Sequence, residues 1–256
     1  MPVDVRLARF RRYPRGAVKL HLVLDHDGCL LTYGIITEAA VHDVKVAWRI
    51  PFPAGTIVVD DRGYNDYRLF AYWTDSAVFF VTCMKDNAQY EVVEERPVPQ
   101  NRNIFKDQSI RLTGVGAQDK CPHLLRRVEA VREDTGERLV FLTNHHGLGA
   151  CTIAAIYKDR WQVELFFKAL KQNLRFKTFV GTSANAVGIQ IWTALIAMLL
   201  LRYLQLISRF GWSLFNLVAL PRMNLFTHRD LRTWLNEPFA APPNLQAQPQ
   251  AALAFA

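Results

Sequence analysis

Hydrophobic runs in the first third of the chain are short and rich in β-branched residues. "AVKLHLVLD" (Ala17–Asp25) and "CLLTYGIIT" (Cys29–Thr37) flank "HDG", a tight-turn sequence, and predict an antiparallel hairpin. A short helix through "AAVHDVKVAWRI" follows. "GTIVVDD" (Gly55–Asp61) then has the continuous apolar run of a strand buried on both faces, with its acidic end leaving the sheet. Tyr64, Leu69, Phe70 and Trp73 give "YNDYRLFAYWTD" helical spacing, and "AVFFVTCMK" (Ala77–Lys85) is a second buried-type strand. The predicted order is β, β, α, β, α, β.

Between Asp86 and His146 the pattern changes to short alternating runs, "YEVVEERPV", "QSIRLTGVG", "LRRVEAV" and "ERLVFLTN", joined by Gly, Pro and Asp turns. This predicts a β-rich insertion. "AIYKDRWQVELFFKALK" (Ala155–Lys171) then predicts one long helix, with Thr152 as its cap. Tyr157, Arg160, Glu164, Lys168 and Lys171 fall within a sector of about 80°, beside an apolar face of Ile156, Val163, Phe166, Phe167, Leu170 and Leu174. A solvated stripe of i,i+4 ion pairs is the ordinary meaning of such a pattern. A second long helix covers about residues 184–210. Its stretch Ile189–Leu201 is apolar on all sides, but Gln190 and Arg202 bound a run too short to span a membrane, which predicts a fully buried core helix. "RDLRTWLNE" predicts one more helix, and the tail beyond Pro238 is expected to fray.

Composition narrows the possibilities. The 256 residues are 50% hydrophobic, enough for one sizeable core, and carry a formal charge of +8, a balance that favours polyanions such as nucleic acid. Cys29, Cys83, Cys121 and Cys151 show no CxxC spacing, which points to reduced thiols in a cytosolic protein. The first residues, "MPVDVRLARFRRYPRG", lack the apolar core of a secretory signal.

Two acids stand out by setting. Asp61 closes a buried strand and Glu164 lies on the stripe of a helix that packs on the same sheet, so the two carboxylates can converge as hard ligands suited to Mg²⁺. The alternative for Asp61 is a turn or cap role before Gly63.

The spacing Tyr157-x2-Arg160-x3-Glu164-x6-Lys171 resembles the Y-(2)-R-(3)-E-(6)-K signature of a large group of bacterial insertion-sequence DDE transposases, and "DDRGY" resembles that group's second acidic motif. The flanks "AVKLHLVLDHDG" and "ALKQNLRFKTFVGTSANAVGIQIWTALIAMLLLRYLQ" extend the likeness from about Arg11 to Phe239. The resemblance implies an α/β fold: an RNase H-like mixed sheet with flanking helices, interrupted by a β-rich insertion before the last catalytic helix. It implies two-metal phosphoryl transfer with Mg²⁺ or Mn²⁺, with Asp61 as the second carboxylate and Glu164 as the third. Tyr157, Arg160 and Lys171 correspond to residues facing phosphate oxygens of the transposon end. The partners implied are double-stranded DNA and a second copy in a synaptic complex, in the cytoplasm at the nucleoid. The corresponding division is residues 1–85 for the first part of the core, 86–150 for the insertion, 151–240 for the catalytic helix and helical remainder, and 241–256 for a flexible tail.

One part of the family pattern is missing. No Asp-Ser-Thr-like motif precedes "FRRYPRGAVKLH", and Asp4, in the wrong context, does not match the first aspartate. "VDVRLAR" is a poor candidate for a buried central strand, so the first strand is expected to be lost and the chain to be a truncated copy of doubtful activity. A non-catalytic DNA-binding or regulatory fragment is the alternative, and a purely structural chain a third.

Overall fold

In a computed structural model, the described residues are 4–11, 18–100, 103–132, 135–173, 183–223 and 230–239, with the main chain alone described at 4–11, 171–173 and 220–223. The chain forms two compact units, residues 1–196 and 197–256. The first is built on one nine-stranded mixed sheet.

Its strands are β1 (Asp4–Arg11), β2 (Val18–Asp25), β3 (Leu31–Glu38), β4 (Ile57–Val59), β5 (Phe79–Cys83), β6 (Tyr90–Glu95), β7 (Ile104–Leu112), β8 (Leu125–Val131) and β9 (Arg138–Thr143). They lie in the order β3-β2-β1-β4-β5-β9-β8-β7-β6. The expected hairpin is present as β2 and β3, joined by a turn in which Gly28 and Cys29 take positive φ and Asp25 N–H donates to the Leu30 carbonyl. β4 and β5 run parallel, as the connection through a helix requires. The strands after β5 do not form a separate layer. β9 pairs antiparallel with β5, and β8, β7 and β6 extend the same sheet, interrupting the core before the later helices as an RNase H-like mixed fold does.

Contrary to the expectation of a missing first strand, the central slot is filled. Asp4–Arg11 runs antiparallel to β2, with Val5 opposite Asp25, and parallel to β4, with Asp4 opposite Ile57 and Arg6 opposite Val59. Both neighbours offer unpaired main-chain groups, and a segment able to extend satisfies them whatever its side-chain pattern. The arginine-rich alternation of "VDVRLAR" is therefore a poor guide to its place in the sheet.

Helices cover both faces. On one, α1 (Asp43–Ala47), α2 (Tyr67–Asp75) and α3 (Ala117–Lys120) enclose a core of Val58, Leu69, Phe70, Trp73, Phe80 and Leu142. Asp66 caps α2 by accepting from Leu69 N–H, and Phe70 stacks on Phe80 at 4.3 Å. On the other face α4 (Ala150–Asp159) packs Ile153 against Ile57, Val81, Val128 and Phe141. The helix expected over Ala155–Lys171 is in fact two, because α4 ends at Asp159 and α5 (Trp161–Asn173) begins after Arg160. Nor is Thr152 the cap: it lies exposed inside α4, and Gly149 stands at the start without a side-chain bond.

The long helix α6 (Ala184–Ile207) departs from its expected burial and is long and apolar enough to cross a membrane by length and composition alone. In the first unit Ile191, Ala194 and Leu195 are buried, while Ile189 and Ile196 are each 57% exposed. The Trp192 ring lies against β3 at Gly34, where an added Cβ would stand 3.3 Å from it. An all-round apolar sequence does not encode which face finds a partner. In the second unit α7 (Leu214–Met223) and α8 (Leu231–Asn236) surround Trp212, Leu217 and Leu235, and Asp230 caps α8 through Thr233 N–H at 2.7 Å.

Candidate functional site

The pleat of β4 sorts the two adjacent acids. Ile57 belongs to the α4 side of the sheet and Val58 to the α2 side, so two-residue alternation puts Asp60 on the α2 side and Asp61 on the α4 side. Asp60 is fully buried, and among the described residues neither of its carboxyl oxygens has a hydrogen-bond partner. Burial holds this carboxyl well above the usual carboxylate range; the Thr82 hydroxyl opposes the shift, the Asp61 charge adds to it, and Arg160 opposes it. Asp61 is only partly buried and starts a 3₁₀ turn, Arg62–Tyr64, with its Oδ1 accepting from Gly63 N–H at 2.6 Å. The turn is anchored by Tyr64, which is fully buried with its hydroxyl 3.4 Å from His21 Nδ1.

Opposite Asp61 stands the break between α4 and α5. Arg160 N–H bonds to the Tyr157 carbonyl and Val163 N–H to the Arg160 carbonyl, so the chain tightens into i→i+3 geometry at this residue. The Arg160 guanidinium donates to Glu164 Oε1 at 3.0 Å and lies 5.5 Å from the Tyr157 ring centroid. Tyr157 in turn packs on Phe141 at 4.9 Å. Burial works against the Arg160 charge, but the Tyr157 phenol, Glu164 and Asp61 outweigh it and hold the guanidinium above its ordinary value. Burial, then the neighbouring Cys83 thiol, pushes the Tyr157 phenol up, which keeps it an O–H donor.

Arg160 is thus the point on which Tyr157, Glu164 and Asp61 act together. Four sequence-derived positions share one locality, although the helix carrying three of them is broken. Lys171 lies on α5 by its main chain, and its side chain is outside the described residues. The Asp4 side chain is also outside them; its main chain is level with Ile57, three residues before Asp60 and about 10 Å along the strand.

Hard oxygen donors at Asp61 and Glu164 suit Mg²⁺ or Mn²⁺ in chemical type. Number and occupation do not match. Among the described residues no group of three or more His, Cys, Asp or Glu side chains converges as a metal site. Glu164 is engaged by Arg160, and one Asp61 oxygen by Gly63 N–H. The described donor set therefore does not complete a metal centre.

Several residues toward the start of β5, away from the end that carries Asp61, escape a sequence reading. Arg126 and Asp107 form a buried pair, and Asn144 joins β9 to the residues around β5. The available signal was a polar residue at a position where alternation or β-branching predicts a buried one, as at Arg126 in "LRRVEAV".

The Transposase DDE domain family model matches residues 4–200. The putative transposase y4zB of Sinorhizobium fredii (strain NGR234) is 34% identical over 218 residues, covering 84% of this chain and 61% of that protein. The probable transposase for insertion sequence element IS5377 of Geobacillus stearothermophilus is 31% identical over 191 residues, 74% of this chain and 50% of that protein. The putative transposase for insertion sequence element IS4SA of Synechocystis is 42% identical over 159 residues, 59% of this chain and 42% of that protein. The chain therefore spans between about two-fifths and three-fifths of the length of these curated relatives. DDE transposase domains use divalent metals, and transposases act on DNA. With an RNase H-like mixed sheet, an insertion between β5 and α4, and a family match over most of its length, this chain belongs to the DDE transposase domain family.

Proposed function

We propose that this chain is the DNA-engaging core of an insertion-sequence transposase of the Y-(2)-R-(3)-E-(6)-K group. In this reading Asp61 and Glu164 are the second and third carboxylates of the strand-cleaving and strand-transfer centre, with Mg²⁺ or Mn²⁺ as the metal. Tyr157, Arg160 and Lys171 face the phosphates of the terminal repeats. Residues 1–85 and 151–240 supply the core and its catalytic helix, residues 86–150 the insertion, and 241–256 a tail. The complex is a dimer synapsing two double-stranded DNA ends, in the cytoplasm at the nucleoid.

The observation that carries this reading is the Arg160 guanidinium bonded to Glu164, set 5.5 Å from the Tyr157 ring centroid and within electrostatic reach of Asp61. A phosphodiester carries the negative charge that a guanidinium flanked by a phenol donor binds through paired N–H and O–H bonds. When a phosphate takes that guanidinium, the Glu164 carboxylate is released from its ion pair. Arg160 thereby couples DNA binding to the freeing of an acid.

A non-catalytic DNA-binding role is the second reading. It is favoured by the engagement of Glu164 by the Arg160 guanidinium and of one Asp61 oxygen by Gly63 N–H. One experiment addresses both: binding of terminal-repeat duplexes as a function of salt, followed by a divalent-metal nicking assay. Arg160→Ala and Lys171→Ala are each expected to flatten the slope of log K against log salt by about 0.9, while Glu164→Gln spares binding. Unchanged slopes in both cationic variants would refute the phosphate-facing stripe. Divalent-metal-dependent nicking abolished by Asp61→Asn is expected from the first reading and would overturn the second; duplex binding without nicking would favour the second.

A further inference from the structure

The loop His145–Leu148 enters α4 and must satisfy its main-chain groups away from any strand partner. Its donors fold back onto one ring: Gly147 N–H and Leu148 N–H both bond to His145 Nδ1, at 3.2 and 3.1 Å. Its acceptors converge on one side chain. The Arg126 Nη1 donates to the carbonyls of His145 and Leu148 and lies 3.5 Å from that of His146. The rest of the fork is held by Asp107, whose two oxygens accept from Arg126 Nε at 2.7 Å and Nη2 at 2.6 Å. Arg96 reinforces both ends, donating to the His146 carbonyl at 2.8 Å and lying 3.6 Å from Asp107 Oδ1. Arg126 is 2% exposed and Asp107 3%.

We propose that Arg126, locked by Asp107, is a positioning residue for α4: it fixes the loop from which the helix starts and so the register at which Tyr157 and Arg160 meet Asp61. The inference rests on the DNA-facing reading of that site. α4 begins at Gly149 without a side-chain cap, and the Leu148 carbonyl held by Arg126 lies immediately before that residue. A planar fork bonded on one edge to a carboxylate and on its remaining nitrogen to carbonyls has one orientation that satisfies all of them. Lysine at this position matches the charge of Asp107 but cannot span both groups of acceptors.

The test measures amide hydrogen exchange resolved by peptide, alongside duplex binding, in the full chain. Two variants separate the clamp from the buried charge: Arg126→Lys retains the charge, and Arg126→Met combined with Asp107→Leu removes the pair at similar volume. Both are expected to speed exchange across residues 145–157 by about tenfold or more while leaving β4 and β5 protected. Terminal-repeat affinity should fall by about tenfold with a flatter salt dependence. Parent-like exchange across 145–157 in both variants would overturn the clamp. Faster exchange with unchanged affinity and slope would overturn its positioning role. Failure of the parent chain to bind any duplex would instead refute the DNA-facing reading, and the exchange result would still decide whether Arg126 holds the loop.

Discussion

Asn144 offers the most quantitative test of how the insertion is joined to the core. Its Oδ1 accepts from Phe80 N–H at 2.9 Å, and its Nδ2 donates to the Val78 carbonyl at 2.9 Å and to Thr74 Oγ1 at 3.0 Å. The amide orientation follows from the partners, since a main-chain N–H can only donate and a carbonyl can only accept. In Asn144→Ala the Thr74 hydroxyl still donates to the Phe70 carbonyl, at 2.7 Å. Phe80 N–H and the Val78 carbonyl, both in fully buried residues, lose this side-chain partner. At about 1–3 kcal/mol for each buried group left unpaired, the loss is about 4 kcal/mol, a large share of the 5–15 kcal/mol typical of a domain. Urea titration followed by tryptophan fluorescence should show a lower midpoint at unchanged slope, and the melting temperature should fall by about 8–16 °C. Asn144→Asp, which keeps the acceptor for Phe80 but turns an oxygen toward the Val78 carbonyl, should cost at least as much. A loss below about 1 kcal/mol for Asn144→Ala would refute the reasoning.

Burial, the Arg126 charge and His146 lower the His145 pKa, while its own main chain opposes the shift. Above pH about 6.5 the ring is neutral in both states; as pH falls from there toward the lowered folded value, the unfolded chain binds the proton first and stability declines. Melting temperature measured from about pH 7 to about pH 5 should therefore drop more steeply in the parent than in His145→Gln, and equal slopes would contradict this. Trp73 packs within 6.5 Å of both Phe70 and Phe80 while its Nε1 has no hydrogen-bond partner among the described residues. Trp73→Ala should cost about 3–5 kcal/mol in denaturant titration and Trp73→Phe much less, since it discards an unpaired donor with the ring; comparable costs would show that the indole N–H is paired after all.

Local chemistry was legible along most of the chain. β-Branched runs marked β2, β4 and β5, helical spacing of Leu69, Phe70 and Trp73 marked α2, and short alternating runs marked the insertion. The fixed intervals among Tyr157, Arg160 and Glu164, with "DDRGY" upstream, pointed to the family and to the acids beside Arg160. These are properties of neighbours in sequence: a side chain's direction depends on the periodicity of its own element, and that periodicity is written locally.

Other features depend on partners far away in the chain. Whether "VDVRLAR" takes a central strand is decided by the open edges of β2 and β4, which its own polarity does not record. The break at Arg160 divides a pattern that is periodic throughout, so no single window reveals it. The apolar circumference of α6 states how much surface wants burial, not how much the sheet can cover. Arg126 and Asp107 lie nineteen positions apart in sequence yet bond through both carboxylate oxygens, a match that adjacent-strand register creates and that neither residue's local sequence encodes. Sequence alone determined the elements and the chemistry they carry; tertiary pairing decided which of them meet, because burial and hydrogen-bond satisfaction are settled between segments.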